Sequence, residues 1–144
     1  MIVEKVIAAP RSLGSRRLER VVLTSGDLAK RRQRVKTDAG REIGISLPHG
    51  DSLKDGDLLH LDAECAIVVE QAEEDLLWLQ PQTPEQFGLM GYQVGNLHRA
   101  AMIDPRGIAV LYDKAVEALA HRFHISTLRA PGKFRPAQNQ GHSH

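Results

Sequence analysis

Cysteine occurs once in the 144 residues, as Cys65. That excludes an internal disulfide, and with it the small secreted scaffolds stapled by several bridges; it agrees with a reducing compartment. Aromatic residues make up only 4% of the chain, so any core must be built from Val, Leu, Ile and Ala. Such small cores make association between copies a natural supplement to stability. Charge of one sign is also missing: residues 1–72 hold 12 basic and 11 acidic side chains, and residues 73–144 hold 7 of each. Neither half has the basic excess of a nucleic-acid binder. No stretch approaches the roughly 18 apolar residues of a membrane span. The opening MIVEKVIAAP lacks the basic start and apolar run of a secretory signal. The expectation is a soluble cytoplasmic protein that engages neither nucleic acid nor membrane.

What is present divides into two patterns. Ile2, Val3, Val6 and Ile7, then Val21 to Thr24, are apolar runs of strand length separated by a polar segment. Ser25-Gly26-Asp27 marks a turn, and Lys30 to Thr37 leads through Asp38-Ala39-Gly40 into Arg41 to Leu47, where Ile43, Ile45 and Leu47 alternate on one face. That is the clearest hairpin in the chain. Leu58 to Leu61 and Ala66 to Val69 complete a small all-β domain over residues 1–73.

A polar break around residues 72–75 precedes a different rhythm. Leu76 to Leu79 reads as a strand, and Thr83 with Pro84 as the cap and first position of a helix that runs to about Leu97. Ala101 to Ile103 and Ile108 to Tyr112 are strands about a turn at Asp104 to Gly107. Asp113 caps a second helix to about Phe123, and Ile125 to Arg129 is the last strand. Strand, helix, strand, strand, helix, strand is the order of a ferredoxin-like βαββαβ domain, expected over residues 74–130, with one sheet face free of helices, so that an open face or a helix edge is available to a second copy. Residues 131–144, APGKFRPAQNQGHSH less its first alanine, read as a disordered tail that ends in His142 and His144.

Several side chains are candidates for chemistry. In the helix ending GYQVGNLH, Phe87, Met90, Val94 and His98 share one stripe, so an imidazole continues an apolar face as either a core histidine or a ligand. Gly91 and Gly95 lie beside it. Each costs about 1 kcal/mol in a helix interior relative to Ala, which suggests that something packs close. Five of the seven residues from Lys30 to Lys36 are cationic, a pattern that suits either a solvated strand face or an anionic contact. His49 and His60 have no ligand partner at suitable spacing. His121 and His124 have, but without a third ligand they read as cations flanking a helix end. Nothing around Cys65 in the sequence would make it a nucleophile.

Two segments together resemble the UreE family of urease accessory metallochaperones. Residues 31–59, RRQRVKTDAGREIGISLPHGDSLKDGDLL, are similar to the Arg-x-Arg, Thr-Asp-x-Gly, Leu-Pro-x-Gly and Asp-Gly-Asp run of its N-terminal β domain. Residues 91–98, GYQVGNLH, are similar to its helix ending in Gly-Asn-x-His. The resemblance implies a non-catalytic nickel carrier. It implies that His98 is a Ni(II) ligand at a homodimer interface between C-terminal domains, with His142 and His144 as further ligands from the tail. It also implies that the β domain meets partner proteins, and that nickel passes to a urease maturation complex that includes a GTPase. Where the family commonly has Arg between Asn and His, this chain has Leu97, and its tail carries two histidines in place of a long run.

Imidazole nitrogen suits nickel, and equally Zn(II) or Cu(II), so these are competitors for the same ligands. A two-fold axis supplies one histidine twice, and two imidazoles leave positions open for an acceptor's ligands. A protein-interaction adaptor with no physiological metal is the alternative, distinguished by indifference to changes at His98.

Overall fold

Short strands separated by turn residues account for most of residues 1–72: β1 (Ile2–Val3), β2 (Arg17–Leu23), β3 (Arg32–Lys36), β4 (Glu42–Ser46), β5 (Leu58–Leu61) and β6 (Cys65–Gln71), with one helical turn, α1 (Ser25–Leu28). The computed structural model describes residues 1–137, and the chain divides into two units, Met1–Ala72 and Glu73–His144. In the first, β3 and β4 form the expected hairpin, in register from Arg32 opposite Ser46 to Lys36 opposite Glu42. The hairpin reverses through Gly40, whose φ of 84° suits glycine. Two three-stranded sheets, ordered β1-β4-β3 and β2-β6-β5, share a core of Val3, Val21, Leu23, Ile43, Ile45, Ile67 and Val69. All six aromatic residues of the chain lie in the other unit.

Three features depart from the sequence reading. Ser25 to Leu28 closes into α1, because the Thr24 hydroxyl accepts from the Asp27 amide at 3.2 Å and caps it. β1–β4 and β2–β6 pair in parallel. β2 begins at Arg17, four residues before the apolar run, because Glu19 lies on its inner face, only 2% exposed and fully partnered there.

The second unit contains β7 (Glu74–Gln80), α2 (Pro84–Asn96), β8 (Met102–Asp104), β9 (Gly107–Leu111), α3 (Lys114–Arg122) and β10 (Ser126–Gly132). Both helices start where the sequence caps them: Thr83 accepts from the Gln86 amide at 3.1 Å, and Asp113 from the Ala115 amide at 2.8 Å. The sheet order is β10-β7-β9-β8, with every neighbouring pair antiparallel. Leu77, Leu79, Ile108 and Val110 on one face pack with Met90 and Val94 of α2 and Val116 and Ala120 of α3. No helix among the described residues is long and apolar enough to cross a membrane.

The other face is not bare. Leu76 and Ala109 point away from the helix-side core by strand alternation, yet both are buried. The chain expected to leave the body after Ala130 continues as β10 to Gly132. It buries Phe134 to 3% exposure and donates the Ala137 amide to the Ala101 carbonyl at 2.9 Å. The tail reading for residues 131–137 is therefore corrected. Pro131 is tolerated because β10 is an edge strand, and Gly132 because a Cβ there would come within 2.9 Å of Leu76 Cδ1.

Candidate metal centre

The buried side of α2 is the apolar stripe expected, with Met90 and Val94 fully enclosed and Phe87 and Leu97 packed at its margins. His98 does not continue it. The helix stops at Asn96 and Leu97 caps it. Then the His98 amide donates to Gly95 O at 2.9 Å and the Arg99 amide to Val94 O at 3.3 Å. This pair of bonds is the Schellman motif, which needs a left-handed residue at the first position past the cap, and His98 supplies it with φ 58°. Glycine usually holds that position; a side chain there costs roughly 1–2 kcal/mol. The change of hand carries the imidazole off the helix face into solvent, where its ring makes no hydrogen bond to any described residue. A satisfied core histidine is thereby excluded.

Arg99 fixes this corner from the far side. Its Nε donates to the Asp113 carboxylate and its Nη1 to Leu97 O at 2.9 Å. Asp113 is at the same time the cap of α3, and the guanidinium holds its carboxyl below the usual range. One ion pair thus ties the end of α2 to the start of α3. Asp113 was legible as a cap, but nothing in the sequence pointed to Arg99.

The outward side of α2 is unusual for a helix in water, which ordinarily carries charge there. Gly88, Leu89, Tyr92, Gly95 and Asn96 are exposed, Tyr92 to 68%, and Glu85 is the only charged residue of the helix. A Cβ added at Gly88, Gly91 or Gly95 would meet nothing within 4 Å. The close approach that the glycines suggested is not made by any described residue of this chain.

The model described as UreE urease accessory protein, N-terminal domain, matches residues 3–72, and that described as UreE urease accessory protein, C-terminal domain, matches residues 74–144. The chain is 39% identical to the urease accessory protein UreE of Bacillus sp. (strain TB-90) and 41% identical to that of Geobacillus kaustophilus (strain HTA426). Both alignments cover 100% of this chain and 99% of the relative. It is 39% identical to the UreE of Staphylococcus aureus (strain MRSA252), with the same coverage. The chain belongs to the UreE urease accessory protein family.

His98, its cap and the outward side of α2 therefore lie in the UreE C-terminal domain. The other two sequence-expected ligands of this UreE chain, His142 and His144, lie outside the described residues. Among the described residues no group of three or more His, Cys, Asp and Glu side chains could hold a metal ion. His121 and His124 are exposed at the end of α3, and His49 is exposed on a loop. His60 is engaged: its Nε2 lies 2.9 Å from Asp62 Oδ2. That contact, with the Glu64 and Cys65 amides, holds the Asp62 carboxyl at about 2.

Sequence reasoning missed one constellation in the N-terminal domain. Glu19 receives the Thr37 hydroxyl at 2.7 Å, Arg41 Nη2 at 3.0 Å, Arg17 Nη2 at 3.1 Å and the Cys65 thiol at 3.3 Å. The Thr37 hydrogen bond is the main reason its carboxyl is held at about 2, against the opposing effect of burial. Cys65 is pushed up by burial and by the neighbouring Glu19, so it is no nucleophile. The signal available was the period of two that aligns Glu19 with Val21 and Leu23 on the inner face.

Proposed function

We propose that this UreE-family chain is a nickel carrier with no reaction of its own, acting in the cytoplasm to deliver Ni(II) to the urease maturation complex and its GTPase. Two copies associate through the outward sides of α2 in ferredoxin-like C-terminal domains, and each brings its His98 to a shared site. The observation that carries this reading is the position of His98. Its ring is exposed and free of hydrogen bonds to described residues, at the end of a helix whose outward side is glycine-rich and almost uncharged. A single chain holds too few ligands for a metal ion among its described residues, which is what a site divided between two copies requires. The strand order β10-β7-β9-β8 supports the ferredoxin-like assignment.

His142 and His144 fit as supplementary ligands, because the chain leaves the described body at Ala137, bonded to Ala101, three residues past His98. From Ala137 to His142 the chain can span up to about 17 Å. Zn(II) and Cu(II) compete for the same nitrogens. Imidazole binds metal only when neutral, so binding weakens in acid.

The test is nickel titration by calorimetry on the wild type, His98→Ala and a chain ending at Gln140, with the solution mass of each. About one nickel per dimer, lost in His98→Ala, is the expected result. Equal binding by His98→Ala would transfer the weight to a non-catalytic adaptor without a physiological metal.

A further inference from the structure

We infer that residues 133–137 form a strap across the helix-free face of the second sheet, anchored by Phe134, and that this strap sets where the C-terminal tail departs. Its bearing on metal binding rests on the nickel reading above; the strap itself does not. β10 is one edge of the sheet, and Ala101 directly precedes β8, the other edge. To pass from Gly132 to the Ala101 carbonyl the chain must traverse three strand spacings, about 14 Å, with five residues that span at most about 17 Å. The path is nearly taut. It accounts for Leu76 and Ala109, which point to the helix-free face and are nonetheless buried. Their cover is assigned to Phe134, the one large apolar side chain of the segment, itself buried and outside the helix-side core. Gly132, which brings the backbone down against Leu76, starts the crossing, and the bond from the Ala137 amide to Ala101 O ends it.

The strap thus delivers the chain to the corner that Arg99 and the α2 cap also define. A tail leaving from β10 directly would start at the opposite edge of the sheet. Phe134 is accordingly a positioning residue: it touches no ligand, and it sets the effective concentration of the tail histidines at His98.

The experiment attaches a nitroxide at Ser143→Cys in the full chain; Cys65 is buried and stays unlabelled. Broadening of the amide signals of residues 98–102 is compared with that of residues 128–130 and 132, on the β10 edge from which an unstrapped tail would leave. The strap predicts strong contrast in the otherwise wild-type chain, contrast retained in Phe134→Leu, and contrast lost in Phe134→Ala. A flexible Gly-Ser insertion of about six residues directly after Phe134, which keeps the anchor and therefore the fold, should lose it as well. In parallel, nickel affinity of the full chain is measured against a chain ending at Ala137. The tail's gain should shrink about tenfold in Phe134→Ala while the His98-dependent event persists. Contrast that survives both the Ala substitution and the insertion overturns the strap. Absence of nickel binding in the wild type, with the contrast intact, would overturn the carrier reading and leave the strap standing.

Discussion

His98 and His124 occupy the same position in two copies of one turn. Each is the first residue past a helix cap, each has φ 58°, and each donates its amide to the carbonyl three residues back, Gly95 and His121 respectively. In both, the next amide reaches one residue further, from Arg99 to Val94 and from Ile125 to Ala120. The two turns close the two halves of the second unit, strand-helix-strand each, so the same backbone problem is solved twice with the same unfavourable residue.

Glycine at either position should therefore stabilise the fold. His98→Gly and His124→Gly are each expected to gain roughly 1 kcal/mol in urea unfolding followed by Trp78 fluorescence. Only His98→Gly should also remove nickel binding. A loss of stability in either variant would show that the imidazole makes favourable contacts that outweigh its backbone strain.

The open side of α2 gives an opposed pair of effects. Gly91→Ala and Gly95→Ala meet no atom of the described residues, so each should raise helix stability by up to about 1 kcal/mol. If a second copy packs on those glycines, the same methyl groups weaken the dimer, and sedimentation equilibrium should show dissociation at higher protein concentration than for the wild type. Stabilisation with unchanged association would move the interface elsewhere.

Acid should weaken the first unit through Glu19. Its folded carboxyl titrates at about 2, below the ordinary value of about 4.3 expected when unfolded. The folded state thus binds fewer protons in that interval. The associated stability is full above about 4.3 and is lost as pH falls through about 2. Circular dichroism against urea at a series of pH values should show the decline, since Trp78 reports only on the other unit. Glu19→Gln should be less stable at pH 7 and should flatten part of the dependence; Asp62, also held at about 2, accounts for a further part.

Gly107→Ala should not be tolerated. The residue has φ 145°, and a Cβ would come within 2.1 Å of Leu79 O in the neighbouring strand. The backbone of β7 cannot give way as a flexible side chain would, so the β8–β9 hairpin must open. The expected loss is about 3 kcal/mol or more, read as a fall in the urea midpoint of Trp78 fluorescence. A wild-type midpoint would mean that the hairpin repacks freely.

Local chemistry was the legible part of the fold. Thr83 before Pro84, and Asp113 before an apolar-periodic run, announce helices because capping is decided by a few adjacent atoms. The alternation from Arg41 to Leu47 announces its strand for the same reason. What stayed hidden depends on neighbours remote in sequence. Pro131-Gly132 reads as a break, and becomes a strand only because β10 has one free edge and Leu76 lies beneath Gly132. Glu19 lies in a polar segment of the sequence, and its burial follows only once Thr37 and Arg41, from the two ends of the β3–β4 turn, and Cys65 of β6 are brought to it. His98 was expected to continue the apolar stripe of its helix and instead lies off it in solvent, since periodicity assumes a single hand and the chain changes hand at that residue.

The seclusion of Cys65 also decides what chemistry the surface can offer. Its thiol is the softest donor the chain has, and it is spent inside the first unit as a proton donor to a carboxylate. Ions that favour thiolate find no free thiol among the described surface residues, where imidazoles and carboxylates are the main donors. Nitrogen and oxygen ligands release borderline divalent ions more readily than thiolates do, so an ion held at the described surface would be held exchangeably.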